Sequence, residues 1–254
     1  MQITVRESKS HSKLIAWLKL LETINEEMTL LFNSEGISSR TMDASHVEML
    51  KATIPCSLFD EFKVDDGEEL SLTFSVIEFR KVLEQFDMKR DNITIMHDEK
   101  KAKLVVKAKR TDERVRQFSV NLLEAMDEEV PDPKITYSSK AQLVLEDFRE
   151  ALTAANMYTE NVVLQMAEGA DPWLRVEGDG DKGDYWDEIH PISSNSKEHS
   201  KATFTMSYLM ELVKALKPLS ESITLNMSTD MPLNIDVGLE AGKLELWLAP
   251  CISA

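Results

Sequence analysis

Residues 118–133 read FSVNLLEAMDEEVPDP, and two similar halves of the chain lie on either side of them. The stretch holds five acids and no base, and two prolines stand near its end. Proline lacks a backbone N–H, and acids are depleted in strands, so this composition predicts neither a helix nor a central strand. We therefore expect residues 118–133 to connect an N-terminal domain, residues 1–117, to a C-terminal domain, residues 134–254.

Short segments recur in the same order before and after this connector. The pairs are residues 34–36 and 167–169, residues 78–83 (EFRKVL) and 211–216 (ELVKAL), and residues 92–95 and 222–225. Their spacings are 133 (169 minus 36), 133 (211 minus 78) and 130 (223 minus 93) positions. One such pair arises easily by chance, whereas three in the same order indicate an internal duplication.

The composition is typical of a folded protein from a reducing compartment. Of 254 residues, 43% are hydrophobic, and only 8 are glycine and 8 proline, which favours a packed core over disorder. The N-terminal segment MQITVRESKS is polar, and no apolar run approaches the length of a membrane span. Cys56 and Cys251 are too few for a disulfide framework. We expect a soluble, intracellular protein without a membrane segment.

The net charge is −16, from 45 acids and 29 bases. Taken alone, this argues against a nucleic-acid partner, because phosphate contacts need clustered lysine and arginine. Net charge, however, governs solubility and long-range repulsion, whereas the local distribution of charge decides binding. A protein of this charge could still carry bases on one surface.

Four segments have a helical period with apolar residues on one side only. Their apolar positions are Leu14, Trp17, Leu18 and Leu21; Val76, Phe79, Leu83 and Phe86; Leu145, Phe148, Leu152 and Ala155; and Leu209, Leu212, Val213 and Leu216. Many short strand-like segments lie between them, and the connections are mostly too short for parallel crossovers. The sequence therefore predicts an α+β fold of two similar domains, each with two helices and antiparallel sheets.

No motif of an enzyme is present. The five histidines show no metal-ligand spacing, and neither a glycine-rich phosphate loop nor a nucleophile elbow occurs. Residues 177–188 (EGDGDKGDYWDE) mimic a calcium loop, but Lys182 stands where the sharp turn needs glycine. We favour a solvated acidic loop, no cofactor, no metal and no catalytic residue. Two alternatives stay open: a calcium-dependent interaction protein centred on this loop, and a metal hydrolase that would lose turnover with Asp181→Ala.

Two predicted edge strands carry opposite charges. The residues are Arg110, Arg114 and Arg116 near the end of the first half, and Asp184, Asp187 and Glu188 in the second half. Complementary edges of one chain can pair head to tail between copies and close into a ring. The same charges would also serve as solvated edge residues that discourage aggregation, and charge alone does not separate the two interpretations.

Residues 36–47, GISSRTMDASHV, resemble the sliding clamps of the proliferating-cell-nuclear-antigen type. Residues 231–233 (MPL) and 248–252 (LAPCI) are similar to that family's closing strands and tail, and the resemblance extends over the whole length. The residues of the first motif are closer to those of archaeal members than to those of eukaryotic ones. This implies a cytoplasmic protein if the source is archaeal and a nuclear one if it is eukaryotic.

The resemblance implies a ring of three chains, expected to be a homotrimer, that encircles duplex DNA, with four helices per chain lining the hole. Such a clamp tethers DNA polymerase, serves flap endonuclease, DNA ligase and repair proteins, and is opened by an ATP-using clamp loader. The DNA-facing candidates are Lys13, Lys19, Arg80, Lys81, Arg149, Lys214 and Lys217, of which Lys81 and Lys214 match family basic positions best. Where many members carry bases on the third helix, this chain has Glu150 and Thr153. The alternative is one subunit of a heterotrimeric ring.

Clients of this family insert a short motif, one apolar residue and two aromatic residues on a helical turn, into a pocket beneath the connector. The matching positions here are Met42, His46, Val47, Met49, Leu123, Met126, Pro232, Trp247, Ala249, Pro250 and Ile252. Adaptable methionines and an anchor pocket suit varied aromatic ligands. Without the resemblance, Met42, Val47 and Trp247 would be interpreted as core residues.

Overall fold

The structure is a computed structural model that describes residues 1–64, 67, 69–125, 130–131, 133–167, 169, 172–239 and 242–251. Two compact units are present. The first consists of Met1–Thr41 and Lys51–Val130, and the second of Met42–Leu50 and Pro131–Ala254. The loop Met42–Leu50 thus belongs to the second unit although it lies early in the sequence.

The first eleven elements along the chain include two helices. They are β1 (Gln2–Val5), α1 (Ser8–Leu21), β2 (Glu27–Asn33), β3 (Gly36–Met42), β4 (Glu48–Pro55), β5 (Glu61–Lys63), β6 (Leu70–Ser75), α2 (Val76–Leu83), β7 (Asp91–Asp98), β8 (Lys103–Arg110) and β9 (Val115–Asn121). Short 3-10 turns follow β4 and β7.

The next eleven elements repeat this order of strands and helices. They are β10 (Ser139–Val144), α3 (Leu145–Ala155), β11 (Asn161–Met166), β12 (Leu174–Gly180), β13 (Gly183–Ile189), β14 (Ser193–Ser196), β15 (Ser200–Thr205), α4 (Met206–Leu216), β16 (Ser222–Met227), β17 (Leu233–Leu239) and β18 (Gly242–Leu248).

Strand pairing repeats as well. The order β5-β1-β7-β8-β9 in the first unit corresponds to β14-β10-β16-β17-β18 in the second, and the pairs are antiparallel. Likewise, β2 pairs with β3 and β6, as β11 pairs with β12 and β15. The predicted α+β class, the duplication and the antiparallel sheets are confirmed.

For one of the predicted repeat pairs, the structure gives a different spacing between the two copies. Val5 pairs with Ile93 on β7, and Leu143 pairs with Ile223 on β16, which puts these β strands 130 positions apart (223 minus 93). Helices α2 and α4 also begin 130 positions apart (206 minus 76). Residues 78–83 and 211–216, 133 positions apart, therefore lie about one turn out of register. A shift of one turn leaves an apolar stripe in phase, so helical periodicity does not detect it.

The apolar stripes form the core of each unit. On α1, Leu14, Trp17, Leu18 and Leu21 are buried. The sequence predicts that this helix begins at Ser10, and in the structure it begins at Ser8. At the start of α2, the Ser75 hydroxyl accepts a hydrogen bond from the backbone N–H of Glu78 (3.2 Å). Among the described residues, no helix is long and apolar enough to cross a membrane.

The predicted connector begins inside a strand. Its first four residues complete β9, which pairs with β8 alone and forms an edge of its sheet. An edge position agrees with the prediction that this stretch is no central strand. After β9, the N–H of Leu122 donates to Ala102 O (2.9 Å) and that of Leu123 to Thr73 O (2.8 Å). Residues 126–129 and 132 lie outside the described part of the chain.

The acidic loop is shorter than its glycines suggest. The acids and glycines of residues 177–184 predict a turn over this whole range. In the structure β12 continues to Gly180 and β13 begins at Gly183, so only Asp181 and Lys182 form the turn. Close packing explains why glycine stands at position 180 within a strand, since a Cβ there would lie 2.0 Å from the carbonyl oxygen of Tyr158. Glycine serves here to admit a neighbouring backbone to a strand rather than to make a loop.

Two glycines in equivalent hairpins test this packing argument. Gly36 (φ +146°) begins β3, and a Cβ there would lie 2.0 Å from Ile54 O, whereas Gly169 (φ +100°) has nothing within 4 Å of its would-be Cβ. We expect Gly169→Ala to lower the free energy of unfolding by about 1 kcal/mol, from backbone strain alone. Gly36→Ala should lower it by about 3 kcal/mol or more, since backbone must move. Urea unfolding of both variants measures the difference, and equal losses would contradict the packing argument.

Candidate functional site

A single carboxylate organises the loop Met42–Leu50. The Asp43 Oδ1 accepts hydrogen bonds from the N–H groups of Val47 (2.8 Å) and Glu48 (2.7 Å), and its Oδ2 accepts one from Ser45 (3.2 Å). The Asp43 N–H in turn donates to Glu48 O (2.9 Å). Aspartate favours such turns because its short side chain reaches backbone donors nearby in sequence. Asp43 and Ser45 in the sequence predict a local turn closed by side-chain to backbone hydrogen bonds, and the structure confirms it.

The loop presents His46 and Val47 beside the C-terminal segment. His46 is exposed with φ +56°, a conformation uncommon for residues other than glycine. The carbonyl of Val47 accepts a hydrogen bond from the N–H of Ala249 (2.9 Å), which fixes the loop next to the chain that follows β18. Two parts of the predicted peptide pocket that are far apart in sequence therefore meet within the second unit.

The remaining pocket positions differ in placement. The residues Met42, His46, Val47, Met49, Pro232, Trp247, Ala249 and Pro250 all lie in the second unit, and Leu123 lies in the first. Met126 and Ile252 lie outside the described residues. Met49 is buried and packs in the core, whereas Leu123 is exposed.

Trp247 lies on the face of β18 opposite the core. Its neighbours Leu246 and Leu248 are buried, while Trp247 is half-buried and pairs across the sheet with Asn234. Met42 and Val47 are half-buried too. Burial at this level leaves part of each side chain accessible to a ligand, which a core residue would not offer.

Glu48 is the unexpected residue of this loop. Only 3% of it is exposed, and its burial, reinforced by the nearby charges of Asp43 and Glu211, raises its pKa to about 8. Beside it, the Tyr208 hydroxyl donates to Asp43 Oδ2 (3.5 Å). Burial penalises the charged form of a carboxyl, so Glu48 is protonated at neutral pH. The burial of Glu48 could not be predicted from the sequence. Glu48 is the one charged residue in an otherwise apolar series of inward positions, and an acid is normally expected at the surface.

The predicted DNA-facing bases of the first unit are largely paired with acids. Lys19 Nζ lies 3.2 Å from Glu84 Oε1, and Arg80 bonds both Glu22 and Glu84. Only 15% of the Arg80 side chain is exposed. Lys81 is exposed, and within the described residues no ion pair includes it.

The second unit shows the same division. Arg149 forms a bidentate contact with Glu146 (3.0 and 2.5 Å), and Lys217 Nζ lies 3.4 Å from Glu146 Oε2. Lys214 is exposed and has no ion pair among the residues that the structure describes. A groove of about 390 Å³ is lined by three of these bases and three neighbouring residues, namely Arg149, Lys214, Lys217, Met210, Glu211 and Val213. Lys13, on α1, is half-buried.

Two residues that stand where bases were expected on the third helix are both exposed. They are Glu150 and Thr153, and the Thr153 hydroxyl donates to Arg149 O (2.7 Å) within the helix. Neither position therefore adds a positive charge to the surface of α3.

The charged edge of the first unit is β9. Of the three arginines predicted for this edge, only Arg116 is part of β9, and its guanidinium lies over the rings of Phe86 and Phe118 (5.5 and 5.3 Å). The prediction is wrong for Arg110, which ends the inner strand β8 and lies 3.5 Å from the buried Asp91. Arg114, just before β9, is exposed. The sequence interpretation missed Val115, an apolar side chain that is 52% exposed on the face away from Phe118.

The charged edge of the second unit is β13, an outer strand of the β13-β12-β11-β15 sheet. Glu188 binds Arg175, whose guanidinium lies 4.9 Å from the ring centroids of both Trp173 and Trp186. Asp187 accepts a hydrogen bond from Tyr185 (3.2 Å). Asp184 is exposed. Trp186, also missed from sequence, is 59% exposed.

The acidic hairpin lacks the arrangement of a metal site. Glu177 and Glu188, its outermost acids, both contact Arg175. Across the described residues, no group of three or more His, Cys, Asp or Glu is placed to hold a metal ion. Glu177 and Glu188 therefore contact a cation of the protein itself.

Two family models match the sequence. The proliferating cell nuclear antigen N-terminal domain matches residues 10–130, and the C-terminal domain of the same family matches residues 181–252. Similar proteins include the DNA polymerase sliding clamp of Nitrosopumilus maritimus, 30% identical with 94% of each chain covered. That of Thermofilum pendens is 28% identical, with 92% of this chain and 93% of the relative covered.

A solved structure agrees with the fold. The crystal structure of PCNA from Thermococcus kodakaraensis superposes with a TM-score of 0.84 at 19% identity, covering 98% of this chain and 99% of that chain. The closeness of backbone at so low an identity shows that the duplicated strand and helix order, rather than particular side chains, is shared.

The buried acid of the loop predicts a specific pH dependence. Because folding raises the pKa of Glu48 from 4.5 to about 8, the folded protein keeps a proton that the unfolded chain releases in this window. The free energy of unfolding contributed by Glu48 therefore falls as pH rises from about 4.5 and levels off above about 8. Relative to the parent, Glu48→Gln should gain stability with pH at up to about 1.4 kcal/mol per pH unit.

Chemical unfolding at several pH values measures this gain. The control is Glu27→Gln, the same substitution at an exposed acid outside this loop, measured over the same pH range. If the stability of Glu48→Gln relative to the parent changes with pH no more than that of the control, the Glu48 carboxyl is charged in the fold.

Proposed function

Since the chain belongs to the proliferating cell nuclear antigen family, we propose that it is a DNA polymerase sliding clamp, a processivity factor that encircles duplex DNA and tethers polymerase to it. The observation that carries this is similarity to relatives named as sliding clamps over 94% of the chain, together with the duplicated unit that such a fold requires. The function needs binding and assembly but no bond-breaking step, so we propose no catalytic residue. A clamp acts on chromosomal DNA, which places it inside the cell.

The charge of −16 is compatible with this function. A closed ring holds DNA by topology, so its contacts to phosphates need only be weak and mobile, and a small number of accessible bases suffices. Of the seven candidate bases, Lys81 and Lys214 support this role best, because both are exposed and neither has an ion pair among the described residues. We propose that they are the principal contacts of the chain to DNA.

We propose that clients dock on the surface made by the loop Met42–Leu50 and the segment after β18. Support comes from the half-buried Met42, Val47 and Trp247, and from the Val47–Ala249 hydrogen bond that joins the two segments. Polymerase, flap endonuclease and ligase are the proposed clients, and a clamp loader is the proposed opener of the ring. An apolar surface held in place by backbone bonds loses little entropy when a ligand binds.

Assembly is proposed to join β9 of one copy to β13 of the next. Both are edge strands, and an antiparallel register that sets Val115 opposite Trp186 also sets Arg114 opposite Asp187. Residues directly opposite in an antiparallel pair share a face, so the two exposed apolar side chains would bury each other. The neighbouring charges are then of opposite sign, which favours this register over a shifted one.

The client surface is tested with a peptide that carries one apolar residue and two aromatic residues on a helical turn. Met42→Ala should weaken its binding at least tenfold, because truncating an anchor residue removes more than about 1 kcal/mol. Met157→Ala is the matched control, since Met157 is an exposed methionine outside the proposed surface. Fluorescence anisotropy gives both affinities. Equal affinity of the two variants would move the client site elsewhere.

The assembly is tested by light scattering over a dilution series. The parent is expected at three chain masses, and Trp186→Ala should dissociate at a concentration at least tenfold higher than the parent, because the anchor of each contact is lost. The control is Ile192→Ala, whose side chain is equally exposed but lies beyond β13. A parent that is monomeric at all concentrations would contradict the homotrimer and favour a subunit of a mixed ring.

A further inference from the structure

We propose that Glu84 in the first unit and Glu146 in the second stand in for DNA phosphates, each occupying one arginine and one lysine that would otherwise contact the DNA backbone. This inference rests on the proposed clamp function. Neither the charge pattern nor the fold requires an acid at these two positions, and the inference assigns them a role. Their effect is to withhold four of the seven candidate bases from DNA, whereas Lys81 and Lys214 stay exposed and have no ion pair among the described residues.

In the second unit, Glu146 lies in the first turn of α3, beside the end of α4. It accepts both guanidinium bonds of Arg149 (3.0 and 2.5 Å), and its Oε2 lies 3.4 Å from Lys217 Nζ. These hydrogen bonds, chiefly those from Arg149, hold the pKa of Glu146 at about 2. The acid is therefore ionised at any working pH, and the two bases share its charge.

In the first unit, Glu84 directly follows α2 and does the same. Its Oε2 accepts from Arg80 (2.6 Å) and its Oε1 lies 3.2 Å from Lys19 of α1. Burial alone would raise the pKa of Glu84, but the hydrogen bonds from Lys19 and Arg80 lower it. Arg80 is further held by Glu22.

The two acid clasps, Glu84 with Arg80 and Lys19 and Glu146 with Arg149 and Lys217, are not copies made by the duplication. At the spacing of 130 that relates α2 to α4, Glu84 corresponds to Lys214, a residue of opposite charge. Glu146 lies on α3, the counterpart of α1, whereas Glu84 follows α2. The same combination of one acid, one arginine of its own helix and one lysine of the neighbouring helix therefore occurs at unrelated positions.

The chemistry of the clasps explains why they compete with DNA. A guanidinium binds a carboxylate and a phosphate through the same forked pair of hydrogen bonds, so an acid already in place occupies the geometry a phosphate needs. Displacing it would bring the carboxylate and the phosphate together, which repel. Since DNA affinity comes from bases that replace counterions, each occupied base removes one such contact. The groove of about 390 Å³ beside Lys214 and Lys217 is therefore less attractive to phosphate than its lysines suggest.

The test uses a short fluorescent DNA duplex and the full chain, with anisotropy measured from about 50 to about 200 mM salt. Glu146→Gln keeps the shape of the side chain but releases Arg149 and Lys217. The slope of log K against log salt should steepen by about 1.8, for two contacts of about 0.9 each. The affinity advantage over the parent should then shrink about tenfold across this salt range.

Glu150→Gln is the matched control. It makes the same change of net charge on the same helix, at an exposed acid that contributes no hydrogen bond to either base. A slope change in Glu146→Gln that Glu150→Gln lacks supports the inference. Equal slopes and affinities in the two variants would overturn it, because net charge alone would then account for the effect. In the first unit the comparison is Glu84→Gln against Glu78→Gln. The expected change in slope there is about 0.9, because Glu84→Gln releases Lys19 while Glu22 still holds Arg80.

Two alanine variants separate this inference from the function on which it rests. Arg149→Ala should leave the slope of the parent unchanged, because Arg149 is already occupied, but should remove about 0.9 of the slope gained in Glu146→Gln. Lys214→Ala should weaken DNA binding in both backgrounds. If Lys214→Ala weakens binding while Glu146→Gln behaves as Glu150→Gln, only the clasp is wrong. If the parent binds no duplex at all, the proposed function fails with it.

Discussion

The helices of this protein are apolar on one side only, and this constraint shapes both units. A helix of that kind must bury its stripe against a sheet of its own unit, and it leaves a polar face directed away from the core. In both units the stripe residues, such as Trp17 and Phe148, are fully buried. The bases proposed to meet DNA stand on the remaining polar surface because the core admits no charged side chain there.

The same polar faces explain how a chain with a charge of −16 can serve a polyanion. Some of the acids lie on the helices beside the bases, and they form ion pairs with them, such as Glu146 with Arg149. Exposed pairs of this kind add little stability. Their consequence lies in binding, since they set how many bases are available to a phosphate, and a clamp that must move along DNA gains from having few.

Sequence predicted what depends on period and on local turn chemistry. The stripes of Leu14 to Leu21 and of Leu145 to Ala155 followed from helical period, and the turn at Asp43 followed from the reach of its side chain. Contacts between residues distant in sequence were not predictable. The burial of Glu48, the contact of Arg175 with Trp186 on the neighbouring strand, and the collision that a Cβ at Gly180 would cause all depend on which segments of the chain lie side by side.

In the candidate site, too, local patterns were predictable and contacts between distant residues were not. The family pattern named Met42, Val47 and Trp247, which the structure leaves partly accessible, yet it gave no reason to separate them from Met49, which is buried. Pattern matching also treats all bases alike, whereas ion pairs distinguish Arg80 and Arg149 from Lys81 and Lys214. Whether a cation is available depends on the acid beside it in space, and that acid often comes from another helix. Lys217 of the second unit, held by Glu146 some seventy positions earlier in the chain, illustrates why charge along a sequence does not give the charge that a ligand meets.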